Sequence, residues 1–146
     1  MVNYKSKQLR ELMRILERKL GLLDENQISC CNITLSQCHV IVEIGRSENT
    51  TLNKLSKIIG LDNSTICRSV DNLVKIGLVE RGENMSDRRF INIQLTKEGK
   101  KIFSEIENRM NNFYKKILQS IPEDKQDQVL DCLNLLNQVF EANKCC

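Results

Sequence analysis

Three groups of residues have types and spacings suited to chemistry. The first is Asp87, Arg88 and Arg89 in the stretch NMSDRRF, at the meeting point of two strand-like runs, LVERG and FINIQL. A guanidinium offers its donors in a planar fork that matches anionic oxygens, and a neighbouring carboxylate can hold that fork in one orientation. The second group is Ser64, Thr65, Arg68 and Asn72, spaced to share one side of a helix. Hydroxyl, amide and guanidinium groups so arranged suit phosphate oxygens and the polar edges of bases. The third is a set of thiols. Of seven cysteines, Cys30 is adjacent to Cys31, Cys145 to Cys146, and Cys38 to His39, the single histidine. Thiolates are soft ligands that favour Zn(II) or Cu(I), and trivalent arsenic, which takes three sulfurs, belongs with them.

Each group also has a plainer reading. Two arginines on a turn can be a solvated loop, and the Ser64 to Asn72 face can be ordinary surface. Cys38, Cys67 and Cys132 fall on or beside apolar stripes, where a free thiol packs as a small hydrophobe. The sequence has no Cys-x-x-Cys, so zinc-finger and thioredoxin-like spacings are absent. Cys38 and His39 are consecutive on a helical pattern and diverge by about 100°, which prevents them from acting together as nucleophile and base. No glycine-rich loop cradles a phosphate. These features argue against an enzyme and require no cofactor.

Composition and charge narrow the class. The 146 residues, 40% hydrophobic and 28% charged, suit one helix-rich domain with a modest core. Charged residues interrupt the first twenty positions, so no secretory core is expected there; no apolar run reaches membrane-spanning length, and the expected location is the cytoplasm with reduced thiols. Net charge is +3, and the stretch from Asn63 to Lys101 alone holds eight basic side chains, Arg81 among them, against five acidic ones. That local excess equals the whole net charge, the electrostatic footprint of a nucleic-acid partner.

The elements that must position these groups are legible in the periodicity. Leu9, Leu12, Met13, Leu16 and Leu20 mark a first helix ending near Gly21. Thr34 and Gln37 stand at capping-box spacing before a second, with Leu35, Cys38, Ile41, Val42 and Ile44 apolar and Gly45 as its stop. A short third helix runs from Thr51 to Gly60, and Asp62 or Asn63 caps a fourth striped by Ile66, Val70, Leu73 and Val74. A long hairpin follows, with Ile91, Ile93 and Leu95 on one face and its turn near Asn84 to Asp87. Thr96 caps a fifth helix of about 25 residues, striped by Ile102, Ile106, Met110, Phe113 and Ile117. Pro122 opens a sixth, striped by Val129, Cys132, Leu133, Leu136, Val139 and Phe140. Long terminal helices with continuous apolar stripes exceed what a chain this size can cover, so a second copy is the expected partner.

A short helix, a glycine turn, a second helix and a basic hairpin from Thr51 to Leu95 form a winged helix-turn-helix pattern. With the Asp-x-Arg of Asp87 to Arg89 and the Leu-Thr-x-x-Gly of Leu95 to Gly99, the sequence resembles the MarR family of bacterial transcriptional regulators over essentially its whole length. The resemblance implies a mainly α fold with a small β-wing: six helices plus a hairpin in an intertwined homodimer. Residues 34–99 would form the DNA-binding part of a single domain spanning 1–146, and residues 1–33 and 100–146 the dimerisation helices. It implies that the second arginine, Arg89, enters the minor groove. It further implies that the last helix of one subunit lies near the first two of its mate, so that the Cys30–Cys31 and Cys145–Cys146 pairs could meet.

Physically, the free backbone N–H groups and side chains of Ser64, Thr65, Arg68 and Asn72 at the fourth helix can face a major groove. An arginine at a protruding tip fits the narrow, negative minor groove of A·T-rich DNA. The expected partners are therefore duplex DNA with a pseudopalindromic operator, a second copy of the chain and a small inducer, with no membrane. The favoured inducer is a thiophilic species, arsenite or a metal ion, acting on the cysteine clusters of a repressor. Zinc-responsive members of the family use a histidine on the second helix, where His39 stands; Cys30 or Cys31, with Glu43 as a further candidate, would have to complete that set. The alternative is a small organic ligand or an oxidant, with the cysteines structural.

Overall fold

The computed structural model describes residues 3–28, 33–47, 49–83, 87 and 89–144, with residues 22–28 as backbone only. Eight elements follow in order: α1 (Tyr4–Ile28), α2 (Leu35–Arg46), α3 (Leu52–Ile59), α4 (Asn63–Lys75), β1 (Val79–Glu83), β2 (Ile91–Leu95), α5 (Lys97–Gln119) and α6 (Glu123–Ala142). The chain divides into two compact units, residues 1–104 and 105–146.

In the first unit, α2 is the central element. Its capping box is formed: Gln37 N–H donates to Thr34 Oγ1 and Thr34 N–H to Gln37 Oε1. Its buried side chains, Val40, Ile41 and Ile44, meet Leu55 of α3 and Ile66, Val70 and Leu73 of α4 in one core, joined by Ile33, Val79, Ile93 and Leu95. Complete removal from water of these branched side chains stabilises the unit by about 1.5–3 kcal/mol each relative to exposure. Thr51 caps α3, and Gly60 ends it in the left-handed region at φ 79°, a conformation that excludes most side chains at little cost to glycine.

The two strands pair antiparallel, with Val79 opposite Leu95, Arg81 opposite Ile93 and Glu83 opposite Ile91. A third line joins them: Thr50 bridges Ile93, which donates its N–H to the Thr50 carbonyl at 2.9 Å. Thr96 hinges the wing into α5, its hydroxyl donating to the Gly77 carbonyl at 2.6 Å and accepting from Gly99 N–H at 3.1 Å. Gly99 is required there, because a Cβ would fall on the Leu78 carbonyl oxygen.

Three expectations from periodicity are corrected. The first helix does not end at Gly21 but continues to Ile28. An interior glycine costs about 1 kcal/mol against alanine without breaking the hydrogen-bond ladder, and Gly21 lacks the positive φ of a terminating residue. Gly45 does not stop α2, which runs one residue further; a Cβ there would collide with the Phe103 ring, so the glycine permits close packing on α5. Ile91 is not part of the buried strand face but 58% exposed. Its neighbour Asn92 is 5% exposed and donates to Asn49 Oδ1 at 3.2 Å, its own Oδ1 having no partner among the described residues. The strand outruns the core by one position, so period two stops predicting burial there.

In the second unit, α5 and α6 are joined by a short turn in which Gln126 Nε2 donates to the carbonyls of Leu118 and Ile121 at 3.0 and 3.1 Å. Phe113 and Tyr114 meet edge to face at 5.4 Å. The α6 stripe stays largely uncovered in the single chain, with Leu133, Val139 and Phe140 all roughly half exposed. Along α1, Leu9, Leu12, Leu16 and Leu20 are exposed as well. Among the described residues, no helix is long and apolar enough to cross a membrane.

Candidate nucleic-acid interface

The pair α3 and α4 is held by its polar turn. Ser56 Oγ donates to Asn63 Oδ1 at 2.5 Å, and Asn63 Nδ2 donates to Asn53 Oδ1 at 3.4 Å, tying the start of α4 to the outer side of α3. Asp62 occupies the N-cap position without a side-chain bond to the backbone of the cap, and its carboxylate instead accepts from the hydroxyls of Ser64 and Thr65. The Ser64 bond, followed by that of Thr65, holds the Asp62 carboxyl down at about 2. The group is a carboxylate at any physiological pH. Ser64 and Thr65 stand on the expected side of α4, yet their single hydroxyl protons already have an acceptor, and what they turn outward is lone pairs. Arg68 and Asn72 lie further along the helix, both exposed, away from the buried Ile66, Val70 and Leu73.

Arg81, expected among the DNA-binding residues, has an ionic partner within the chain. Its guanidinium forms an ion pair with Asp71 of α4, bracing the first strand of the wing against the helix. Cys67 Sγ lies 3.9 Å from the other oxygen of the same carboxylate. Both partners of the ion pair are partly exposed, so its net worth is at most about 1 kcal/mol.

At the tip, Arg89 forms a two-toothed contact with Asp87: Nε to Oδ1 at 3.1 Å and Nη2 to Oδ2 at 2.8 Å. The Arg89 backbone N–H adds a third bond to Oδ1 at 3.1 Å, and Phe90 N–H closes the turn on the Asp87 carbonyl at 3.2 Å. The guanidinium, then the backbone N–H, hold the Asp87 carboxyl below its ordinary value, and Asp87 in turn raises that of Arg89. The Arg89 side chain remains 84% exposed. Arg88 lies outside the described residues.

The thiols do not converge within the described part. Cys38 is half-buried on α2 with exposed His39 beside it, Cys67 is half-buried on α4, and Cys132 is exposed on α6 rather than packed. Cys30, Cys31, Cys145 and Cys146 lie outside the described residues. Among the described residues, no three His, Cys, Asp or Glu side chains stand close enough to hold a metal ion.

Sequence reasoning missed Asp62 and Asp71 as partners of the nominated residues. The Asp-x-Ser-Thr spacing of residues 62 to 65 carries the first signal, since a short acidic side chain commonly accepts from donors two and three positions on. Asp71 and Arg81 are ten residues apart across a helix end and a turn, with no local pattern to reveal them.

A capped helix pair, a recognition-type helix and a two-stranded basic wing define a winged helix-turn-helix protein. Residues 33–91, from α2 into the wing, match the model of the MarR family. The chain is 24% identical over 131 residues to the HTH-type transcriptional regulator BilQ of Clostridium symbiosum, covering 90% of this chain and 91% of that one. It is 31% identical over 98 residues to the uncharacterized HTH-type transcriptional regulator YhbI of Bacillus subtilis, covering 67% and 64% of the two chains. In structure it resembles Streptococcus pneumoniae FabT, crystallised with DNA, at a TM-score of 0.82 and 24% identity over 94% of this chain and 98% of that one. It is similar in fold to a MarR family protein from Bacillus stearothermophilus, with a TM-score of 0.81 and 22% identity over 97% and 99% of the two chains.

Proposed function

We propose that the chain is a sequence-specific DNA-binding transcriptional regulator that acts as a two-fold dimer. One observation carries the reading: a guanidinium fork held rigid and exposed at the end of a wing, beside a helix whose free face offers Arg68 and Asn72. In this reading α4 enters the major groove, where Arg68 reads a base edge, and Arg89 enters the adjacent minor groove, with the charge of Arg88, its neighbour in sequence, adding to the attraction. Arg81 acts from behind, through Asp71. FabT and the MepR of S. aureus have each been crystallised with DNA, which supports the assignment. The half-covered apolar stripes of α1 and α6 support a second copy as partner, and two-fold symmetry then sets half-sites about one helical turn, 10 to 10.5 bp, apart.

The regulator is a repressor, and its release is assigned to a thiophilic inducer, arsenite or Zn(II), at Cys30, Cys31, Cys38, His39, Cys145 and Cys146. Two adjacent thiol pairs in a reduced protein support that assignment. One observation favours a small organic ligand instead: a cavity of about 400 Å³ lies between the end of α2, β2 and the first turns of α5. Ile44, Leu95 and Phe103 line it, with Ser47, Gln94 and Lys100 as polar groups, a combination suited to an apolar acid.

Fluorescence anisotropy on the DNA upstream of the protein's own gene tests both levels. Saturable binding by a dimer that outcompetes random duplex is expected; failure to bind at low ionic strength would sink the whole reading. Arsenite, zinc, peroxide and benzoate added in turn then separate the inducers. Release by arsenite or zinc, lost on replacing Cys30 and Cys31 by serine, is the expected result; release by benzoate alone moves the site to the α2, β2 and α5 cavity.

A further inference from the structure

The outer end of the wing carries two apolar side chains that the fold leaves about half exposed. Phe90 is 43% exposed and Ile91 58% exposed, directly after the clamped Arg89. The backbone of both is held in place. Phe90 is fixed by its N–H bond to the Asp87 carbonyl, Ile91 by its pairing with Glu83, and the following Asn92 is buried and bonded to Asn49. The Arg89 guanidinium carbon lies 6.0 Å from the Phe90 ring centroid, so cation and aromatic ring form one continuous surface.

We propose that Phe90 and Ile91 are minor-groove contact residues that lie against the deoxyribose walls on either side of the inserted Arg89. The inference rests on the DNA-binding reading given above. Charge selects the occupant: an apolar pair fused to an exposed guanidinium matches a surface that is negative in its floor and rim and apolar in its walls. The minor groove has that profile, with base acceptors below, phosphates at the edge and sugars between. Proteins that enter this groove commonly place apolar side chains beside the cation. An apolar contact displaces no counterion, so it adds affinity at every salt concentration without changing the salt dependence.

The test measures anisotropy from low to high salt on an operator duplex for wild type, Phe90→Ser, Phe90→Leu, Ile91→Ser and Arg89→Ala, with sedimentation of each free protein. Phe90→Ser should weaken binding about tenfold at all salt concentrations with the logarithmic slope unchanged, whereas Phe90→Leu, which keeps an apolar bulk, should stay within about threefold of wild type. Ile91→Ser should lose less than Phe90→Ser. Wild-type affinity in Phe90→Ser, or a slope reduced as in Arg89→Ala, overturns the proposal. A change of oligomeric state in Phe90→Ser also overturns it and assigns the pair to a protein contact. If wild type itself does not bind duplex DNA, it is the parent reading that fails.

Discussion

The first turn of α4 and the tip of the wing use one local device with opposite results. Each sets an aspartate two residues before a donor: Asp62 before Ser64, with Thr65 next, and Asp87 before Arg89. A hydroxyl has a single proton, so bonding to Asp62 exhausts Ser64 and Thr65 as donors and leaves a carboxylate with lone pairs facing outward. A guanidinium has five N–H donors, of which two go to Asp87, and three stay available on a side chain that is 84% exposed. The same motif thus engages the hydroxyl donors at one end of the surface and leaves guanidinium donors available at the other. Donor count, as well as net charge, sets what each region can offer an anion.

The largest effect should come from the wing. Arg89→Ala is expected to weaken operator binding by about 10- to 100-fold and to lower the salt slope by about one. Arg89→Lys separates charge from geometry, because an ammonium keeps the charge but cannot make the fork. Its slope should match wild type while affinity falls about tenfold. Equal affinity for Arg89→Lys and wild type would mean that the Asp87 clamp contributes nothing to the contact.

Between the two regions stands the brace of Asp71 and Arg81, and a double-mutant cycle decides its role. A positioning pair predicts similar losses of about three- to fivefold for Asp71→Asn and Arg81→Met, no further loss in the double variant, and an unaltered salt slope. A direct phosphate contact by Arg81 predicts instead a lower slope for Arg81→Met alone, with Asp71→Asn harmless. Thermal denaturation of each variant keeps folding losses apart from binding losses.

The brace also marks how far the sequence could be read. Apolar periodicity, caps and glycines placed the six helices and the hairpin, because the bonds of Thr34, Thr51 and Gly60, and the cap bond of Thr96 to Gly99, reach residues at most four positions away. Periodicity failed where an element outlived its reason for burial: Ile91 keeps the strand alternation with no core beneath it, and Gly45 answers to Phe103 on a distant helix. The candidate site was legible in position and not in pairing. Arg68, Asn72 and Arg89 are exposed where the spacing put them, whereas the engagement of Ser64 and Thr65 by Asp62 changes what they can offer. Arg81 was nominated for its charge alone, and its partner becomes visible only once α4 and β1 are brought side by side.

The smallest effect, and the one that isolates the physics of the α4 turn, concerns Asp62. Its carboxyl is held at about 2 against an ordinary 3.8 because the Ser64 and Thr65 hydroxyls bond the charged form. A folded-state value below the unfolded one stabilises the protein above pH 3.8, and that contribution disappears as pH falls through about 2. Neutral solutions are therefore insensitive to it. Carboxyl chemical shifts followed by NMR should show the low midpoint in wild type and a rise toward 3.8 in a Ser64→Ala, Thr65→Val variant; a midpoint that stays near 2 would show that the hydroxyls are not its cause. At neutral pH, Asp62→Asn removes a negative charge at the start of the proposed recognition helix and releases a hydroxyl proton, so binding to random duplex should tighten by about two- to threefold. Weaker binding by Asp62→Asn would place the carboxylate among the groups that hold the DNA and end the contrast with the wing.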